Sequence, residues 1–294
     1  MELLTTTEAA DYLRIKERKL YELVAERQIP CTKVTGKWVF PRAELDRWLL
    51  AGMARPLGLT PADPPPIIGG SHDPLLQWAL LESRCELASL AEGSEAGFAK
   101  LLQGKVVAAA IHFHDVEDPD ADANIAAVQS EPQLYDAVLV GFAIREQGLL
   151  LASGNPLGIV DLESAAASGA RFATRPDGAG AQQLLHALLN RQRLQYAKLT
   201  RASGTAPTGA DIAQAIRGGH ADCGIATRSI AASAGLDFLS LAHERFDLLL
   251  RQRDYFRPPM QAMLGLLADP RFAARATELG GLDVTGAGRI RWAP

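Results

Sequence analysis

Four short segments carry side chains able to do chemistry. Ser71-His72-Asp73 and His112-Phe113-His114-Asp115 each set imidazole and carboxylate groups at the end of an apolar run, and Gly93-Ser94 stands before a helix-like stretch. Arg175-Pro176-Asp177-Gly178-Ala179-Gly180-Ala181-Gln182 is a glycine-rich turn leading into another. Imidazole beside carboxylate moves protons or ligates metal. Hydroxyls, together with the free N–H groups and dipole of a helix start, favour an anion. His112 and His114 share one face of a strand, but with Asp115 they supply only part of a metal-ligand set, so no metal is assigned and ligand contact or core hydrogen bonding suits them better. Ser71 and Ser94 stand where serine either caps a helix or touches a ligand. The chain carries no nucleophile elbow, P-loop, HExxH or dinucleotide fingerprint, so no catalytic residue and no cofactor is assigned.

A different chemistry is spaced through the first fifty residues. Arg14 and Lys16 occupy a short turn, Arg18 and Lys19 follow on the first turn of the next apolar-periodic segment, and Lys37 lies beside Thr35-Gly36. Recognition helices present their first residues to base edges while neighbouring Lys and Arg bind phosphates. Arg18 and Lys19 are therefore the candidate base readers. Solvated surface charge is the plain alternative, and bulk charge does not decide. Residues 1–50 hold nine Lys and Arg against eight Asp and Glu, within a chain whose net charge is −4.

The elements that must position these groups follow from pattern. Thr5-Thr6-Thr7 offers hydroxyl caps to a helix with Ala9, Ala10 and Leu13 on one face, and Glu17–Arg27 repeats Leu20, Leu23 and Val24 at helical spacing, so two helices meet at a tight turn. Cys31–Val34 and Lys37–Phe40 flank Thr35-Gly36 as a hairpin, and Pro41 opens a closing helix through Leu45 and Trp48. Ala51–Pro66, with four prolines in its last six positions, reads as a stiff linker. Beyond it, apolar runs at Pro66–Gly69, Leu87–Leu90, Val106–Phe113, Ala137–Ile144, Ala170–Thr174, Ala221–Ala226 and Phe238–Leu241 alternate with helix-like stretches at Pro74–Ser83, Glu95–Gln103, Ala179–Asn190 and Asp211–Gly218. That alternation predicts βαβ units, and thus an α/β fold around a mainly parallel sheet whose ligands bind beyond the strands' carboxyl ends.

Length and composition agree. The 294 residues suit two or three folded units, and 48% hydrophobic with 22% charged residues is ordinary for a globular chain. The opening segment Met1–Asp11 has neither the basic start nor the apolar run of an export signal, and no stretch is apolar enough for a membrane span, so no membrane partner is expected. Cys31, Cys85 and Cys223 form no CxxC pair, which points to reduced thiols in a cytoplasmic protein.

TTTEAADYLRIKERKLYELVAERQIPCTKVTGKWVFPRAELDRWL resembles the excisionase/MerR-type winged helix-turn-helix over residues 3–50. The resemblance implies a DNA face of Arg14, Lys16, Arg18, Lys19, Tyr21, Lys37 and Arg42. Residues 67–294 resemble the type 2 periplasmic-binding-protein fold, as in LysR-type effector domains and molybdate-binding proteins. The segments that carry this are SHD, the GS before a helix, HFHD, REQGLLLASGNPLGI, the Arg175–Gln182 turn and GGHADCGIATRSIAASAGLDFLSLAHERFDLLL. It implies two α/β lobes, about 67–140 with 243–294 and about 141–242, joined by strands crossing near 138–146 and 239–248 and closing over a ligand. Where that family has a GSGTR-like turn, this chain has Gly178-Ala179-Gly180-Ala181-Gln182, so three side-chain contacts are gone and backbone donors remain. The expected ligand is then a small oxyanion or small carboxylate held by Ser71, His72, Ser94, His112, His114 and that turn.

The combined expectation is a one-component transcriptional regulator of residues 1–50, 51–66 and 67–294. It binds double-stranded operator DNA and a small-anion effector, and works as a homodimer or homotetramer. The alternative is an enzyme or cofactor-handling protein of molybdenum-cofactor metabolism using the same cleft. Asp222 is expected to support the hinge rather than to touch the ligand.

Overall fold

The computed structural model describes residues 2–53, 63–114 and 122–294. Asp115 and most of the proline-rich linker fall outside them. The chain divides into two compact units, residues 1–61 with 126–137, and residues 62–125 with 138–293.

In the first unit β1 (Leu3–Thr5) leads into α1 (Thr6–Leu13), capped by Thr5 and Glu8 in a reciprocal capping box. The turn Arg14–Lys16 then joins α2 (Glu17–Ala25). Strands β2 (Thr32–Val34) and β3 (Lys37–Pro41) form the expected hairpin, with Thr35 and Gly36 both at positive φ, the conformation a two-residue turn of type I′ requires. β1 adds a third strand against β3, and α3 (Arg42–Ala51) closes the unit. Ala9, Ala10, Leu20, Val24, Phe40 and Leu45 form its core, the apolar face that the helical spacing indicates.

The second unit begins with β4 (Ile67–Gly70), α4 (Pro74–Glu82), β5 (Ala88–Ala91), α5 (Ser94–Leu102) and β6 (Ala108–Ile111). The chain then enters α6 (Ala123–Gln129), which from residue 126 belongs with a 3-10 turn at Pro132–Leu134 to the first unit, and returns in the long β7 (Ala137–Leu151), which crosses to α7 (Leu162–Ala167), β8 (Phe172–Thr174) and α8 (Gly180–Arg191). β9 (Arg201–Thr205), α9 (Gly209–Arg217), β10 (Cys223–Thr227) and α10 (Arg228–Ala234) complete the far side. An equally long β11 (Asp237–Arg251) returns, followed by α11 (Gln252–Tyr255), α12 (Pro258–Leu267), α13 (Pro270–Leu279), β12 (Leu282–Asp283) and β13 (Ile290–Trp292).

The main strand order is β5-β4-β6-β11-β7-β10-β8-β9, with β12 and β13 also on β7. Neighbours are parallel within each end of the sheet, and β6–β11 and β7–β10 are antiparallel. Two parallel α/β lobes are therefore joined by two long crossing strands. Leu149 and Leu151 pack into one cluster with Phe172 and Leu185, whereas Leu150 packs into another with Ile212 and Ile230. That two-sided burial explains why these strands read as continuous apolar runs.

Two expectations need correction. Residues 126–137 were expected in lobe I, but they group with the N-terminal unit, where the buried Arg47 guanidinium donates to the Val128 and Gln129 carbonyls. A buried charge has to find acceptors, and this segment supplies them. Asp222 does not support the crossing strands: it pairs with Arg171 at the start of β10, where it accepts the neighbouring backbone N–H as well. Among the described residues no helix is long and apolar enough to cross a membrane.

Candidate functional site

The residues expected to face DNA lie on the first unit. Arg14 adopts a left-handed conformation at the end of α1, and Lys16 is the residue that enters α2. Arg18 and Lys19 are exposed on the first turn of α2, and Glu22 on the next turn lies 3.5 and 3.3 Å from their cationic groups. Tyr21 is exposed on the same helix and Lys37 follows the hairpin turn. Arg42 is differently placed, since it pairs with Glu2 at 3.0 Å and lies over the Tyr12 ring. Lys33, over the Trp38 ring on the hairpin, is a further cation that the sequence reading passes over.

In the second unit a cleft opens where the carboxyl ends of β4, β6, β8 and β10 face one another across the crossing strands. Its lining includes Ser71, His72, His112, Arg145, Gln147, Arg175, Ala179, Gly180, Ala181, Gly209 and Thr227. Of the expected ligand residues, Ser71, His72, His112, Ala179, Gly180 and Ala181 therefore come together, as the strand-end rule requires. Ser94, His114, Gly178 and Gln182 are absent from the lining. Ser94 is fully buried behind it, its Oγ 3.0 Å from Ser71 Oγ and accepting the His112 N–H at 3.0 Å. Gln182 accepts the Arg175 N–H at 3.0 Å and so holds the glycine turn.

β6 ends at Ile111, so His112 and His114 lie just past it, and both rings turn to one group that spacing does not reveal. Glu244 Oε2 bonds His112 Nδ1 at 2.9 Å and His114 Nε2 at 2.8 Å. Its Oε1 receives Arg145 Nε at 2.8 Å, Arg145 Nη2 and Gln147 Nε2 at 2.8 Å. Arg145 in turn donates to Asp73 Oδ2 at 3.0 Å, while Asp73 Oδ1 caps α4. The ligand atoms of His112, His114 and Glu244 lie within 4.8 Å of one another, close enough for three donors to one cation. Each of those atoms is already engaged in a hydrogen bond to another of the three.

Burial opposes every charge here, and partners decide the outcome. Burial alone would raise Glu244, but Arg145, then His112, hold its carboxyl well below the usual range. Burial drives the His112 imidazole down to about 4 against the pull of Glu244. At neutral pH His112 is thus uncharged, with its proton on Nδ1. Nitrogen-15 NMR is expected to show that tautomer and a titration midpoint near 4; a midpoint above 6 would contradict the geometry. Because this folded value lies below the unfolded 6.5, the contribution to stability is complete above pH 6.5. It is lost as pH falls toward 4, about 3 kcal/mol in all. Asp247, raised to about 6 by burial, acts with the opposite sign between its unfolded and folded values, so the measurement is the difference between wild type and His112→Asn.

Arg145 is saturated by two carboxylates, whereas Arg175 is not. Its Nη2 donates to the Pro207 carbonyl at 2.7 Å, and its Nε is buried without a partner among the described residues. Burial lowers its pKa to about 10, leaving it charged at neutral pH. α8 starts beside it with Ala179 as N-cap and no side-chain cap bond; the Gln182 and Gln183 N–H groups bond the Ala179 carbonyl, while those of Gly180 and Ala181 have no partner among the described residues. Unused N–H donors, a helix dipole and an underpaired guanidinium together make a receptor for negative charge. The free space is about 30 Å³, above the ~10–15 Å³ one water needs and small for anything but a few heavy atoms.

A family model described as a PBP superfamily domain matches residues 78–268, and one described as a helix-turn-helix domain matches residues 3–53. The uncharacterized protein YvgK of Bacillus subtilis (strain 168) is 21% identical over 305 aligned positions, covering 97% of this chain and 96% of that protein. A substrate-binding protein named for phosphate ABC transport, from Clostridium perfringens and with bound phosphate, is similar over 74% of this chain and 97% of its own. Its identity is 11% and the TM-score 0.54. A hydrogen-peroxide-bound cysteine-to-serine mutant of Corynebacterium glutamicum OxyR is similar over 94% of this chain and 89% of its own, at 16% identity and a TM-score of 0.51. At these identities the likeness is one of fold.

Proposed function

This chain belongs to the PBP superfamily, and from that premise we propose that it is a cytoplasmic, ligand-responsive transcriptional regulator. The helix-turn-helix unit binds double-stranded operator DNA through Arg14, Lys16, Arg18, Lys19, Tyr21 and Lys37. The cleft of the larger unit binds a small anion, an oxyanion or small carboxylate, as effector. The observation that carries the effector reading is the start of α8, without a side-chain cap, beside Arg175, whose buried Nε has no partner among the described residues. One winged helix covers little DNA, so two copies on half-sites about 34 Å apart multiply affinity, and the regulator acts as a homodimer or homotetramer.

An anion alters DNA affinity only through its differential affinity for two states of the protein. The test is fluorescence anisotropy on duplexes selected from a random pool, with and without millimolar anions. Arg18→Ala or Lys19→Ala is expected to weaken binding by about 1–3 kcal/mol, and Lys37→Ala to flatten the salt dependence. Arg175→Met is expected to lose the response to anion. Unaltered affinity in all three basic-residue variants removes the DNA face, and indifference of wild type to every anion removes the effector.

A further inference from the structure

Two side chains lining the cleft, Gln147 and His112, present acceptor atoms. Gln147 is 2% exposed, donates from Nε2 to Glu244 Oε1 at 2.8 Å, and keeps its own Oε1 buried with no partner among the described residues. Its amide is not free to turn over, because an ionised Glu244 only accepts and would then face another acceptor. His112 is the second. With Nδ1 donating to Glu244, the neutral ring carries its lone pair on Nε2. These acceptors share the cleft with the donors already described, Arg175 and the start of α8.

A fully deprotonated tetrahedral anion such as sulfate satisfies the donors only. Its oxygens repel both acceptors and leave Gln147 Oε1 buried and unpaired, the costly state for a polar group. We propose that the cleft is built for an anion carrying its own O–H, a monoprotonated tetrahedral oxyanion or a small hydroxycarboxylate. The charged oxygens engage Arg175 and the N–H groups of Gly180 and Ala181, and the hydroxyl donates to Gln147 Oε1. This rests on the anion-effector reading and adds the feature by which one anion is chosen over another.

The experiment is calorimetry on the full chain at pH 7 with two matched pairs, inorganic phosphate against sulfate and glycolate against acetate. Within each pair only the first member brings an O–H. A preference of about tenfold or more for phosphate over sulfate, or for glycolate over acetate, is expected from one recovered hydrogen bond. Gln147→Met is expected to bring the preferred pair to within about threefold; should that variant not fold, the wild-type pairs stand as the test alone. Equal affinities in both pairs overturn the proposal while leaving an anion site. Binding of none of the four anions overturns the anion reading and this proposal with it.

Discussion

Arg145→Met is expected to lower the stability of the larger unit by about 3–5 kcal/mol at pH 7, the usual cost of removing one partner from a buried ion pair. Arg145 is 1% exposed and is held by Asp73 and Glu244, themselves 1% and 4% exposed, with its guanidinium 3.9 Å from the Phe246 ring centroid. Methionine keeps much of the volume, so the loss is that of the countercharge to two buried carboxylates. The pH dependence identifies the cause. In wild type the folded Glu244 pKa is depressed, so its contribution is present above the unfolded value and lost as pH falls below it. Without Arg145, burial dominates and the folded pKa rises above the unfolded one, so the folded variant takes up a proton that relieves the strain. The gap between wild type and variant therefore narrows from pH 7 to pH 5. Urea melts at the two pH values measure it. A loss under about 1 kcal/mol, or a gap that does not narrow, contradicts the network.

The first unit was legible because its signals are local. Thr5 and Glu8 cap a helix three residues apart, and Thr35-Gly36 names its own turn. The strand-end segments were legible too, since Ser71, His112 and Gly180 follow apolar runs that only a parallel sheet would bury. What the sequence hides is the pairing of distant charges. Arg145-Glu146-Gln147 interrupts a fifteen-residue buried strand, and alternation sends Arg145 and Gln147 to one face and Glu146 to the other, where it meets Arg228. Polar residues there had to find partners, but nothing in spacing identifies Glu244, 99 residues from Arg145. From spacing Arg175 is one residue of a turn, because its underpaired Nε is a fact of packing. The placement of 126–137 depends on Arg47, whose need for acceptors shows only once α3 is buried.

Gly180→Val is expected to reduce anion affinity by about a hundredfold or more while leaving both lobes folded. Gly180 is the first residue of α8 on one lobe, and it packs against His112 at the end of β6 on the other. A Cβ there would stand 2.2 Å from the His112 carbonyl oxygen and 2.4 Å from its Cε1 and Nδ1. Its φ lies outside the left-handed region, so the constraint is space rather than conformation. Carbon and oxygen do not approach within ~3 Å, so the lobes must part by about 1 Å or the ring must leave Glu244. Overpacking costs about 1–3 kcal/mol, and a branched side chain stands at the upper end, which is about two powers of ten in affinity if it falls on the closed, ligand-binding form. The displaced atoms include the donors proposed for the anion, since the N–H groups of Gly180 and Ala181 move with the helix. Gly265→Ala in α12 is the control, because beyond its chain neighbours and its own helix backbone no atom of the described residues lies within 4 Å of the added methyl and alanine in a helix interior is worth up to ~1 kcal/mol over glycine. Calorimetry with the anion that binds wild type, run beside thermal melts of both variants, separates the cases: undiminished affinity in Gly180→Val would show that α8 does not hold the ligand.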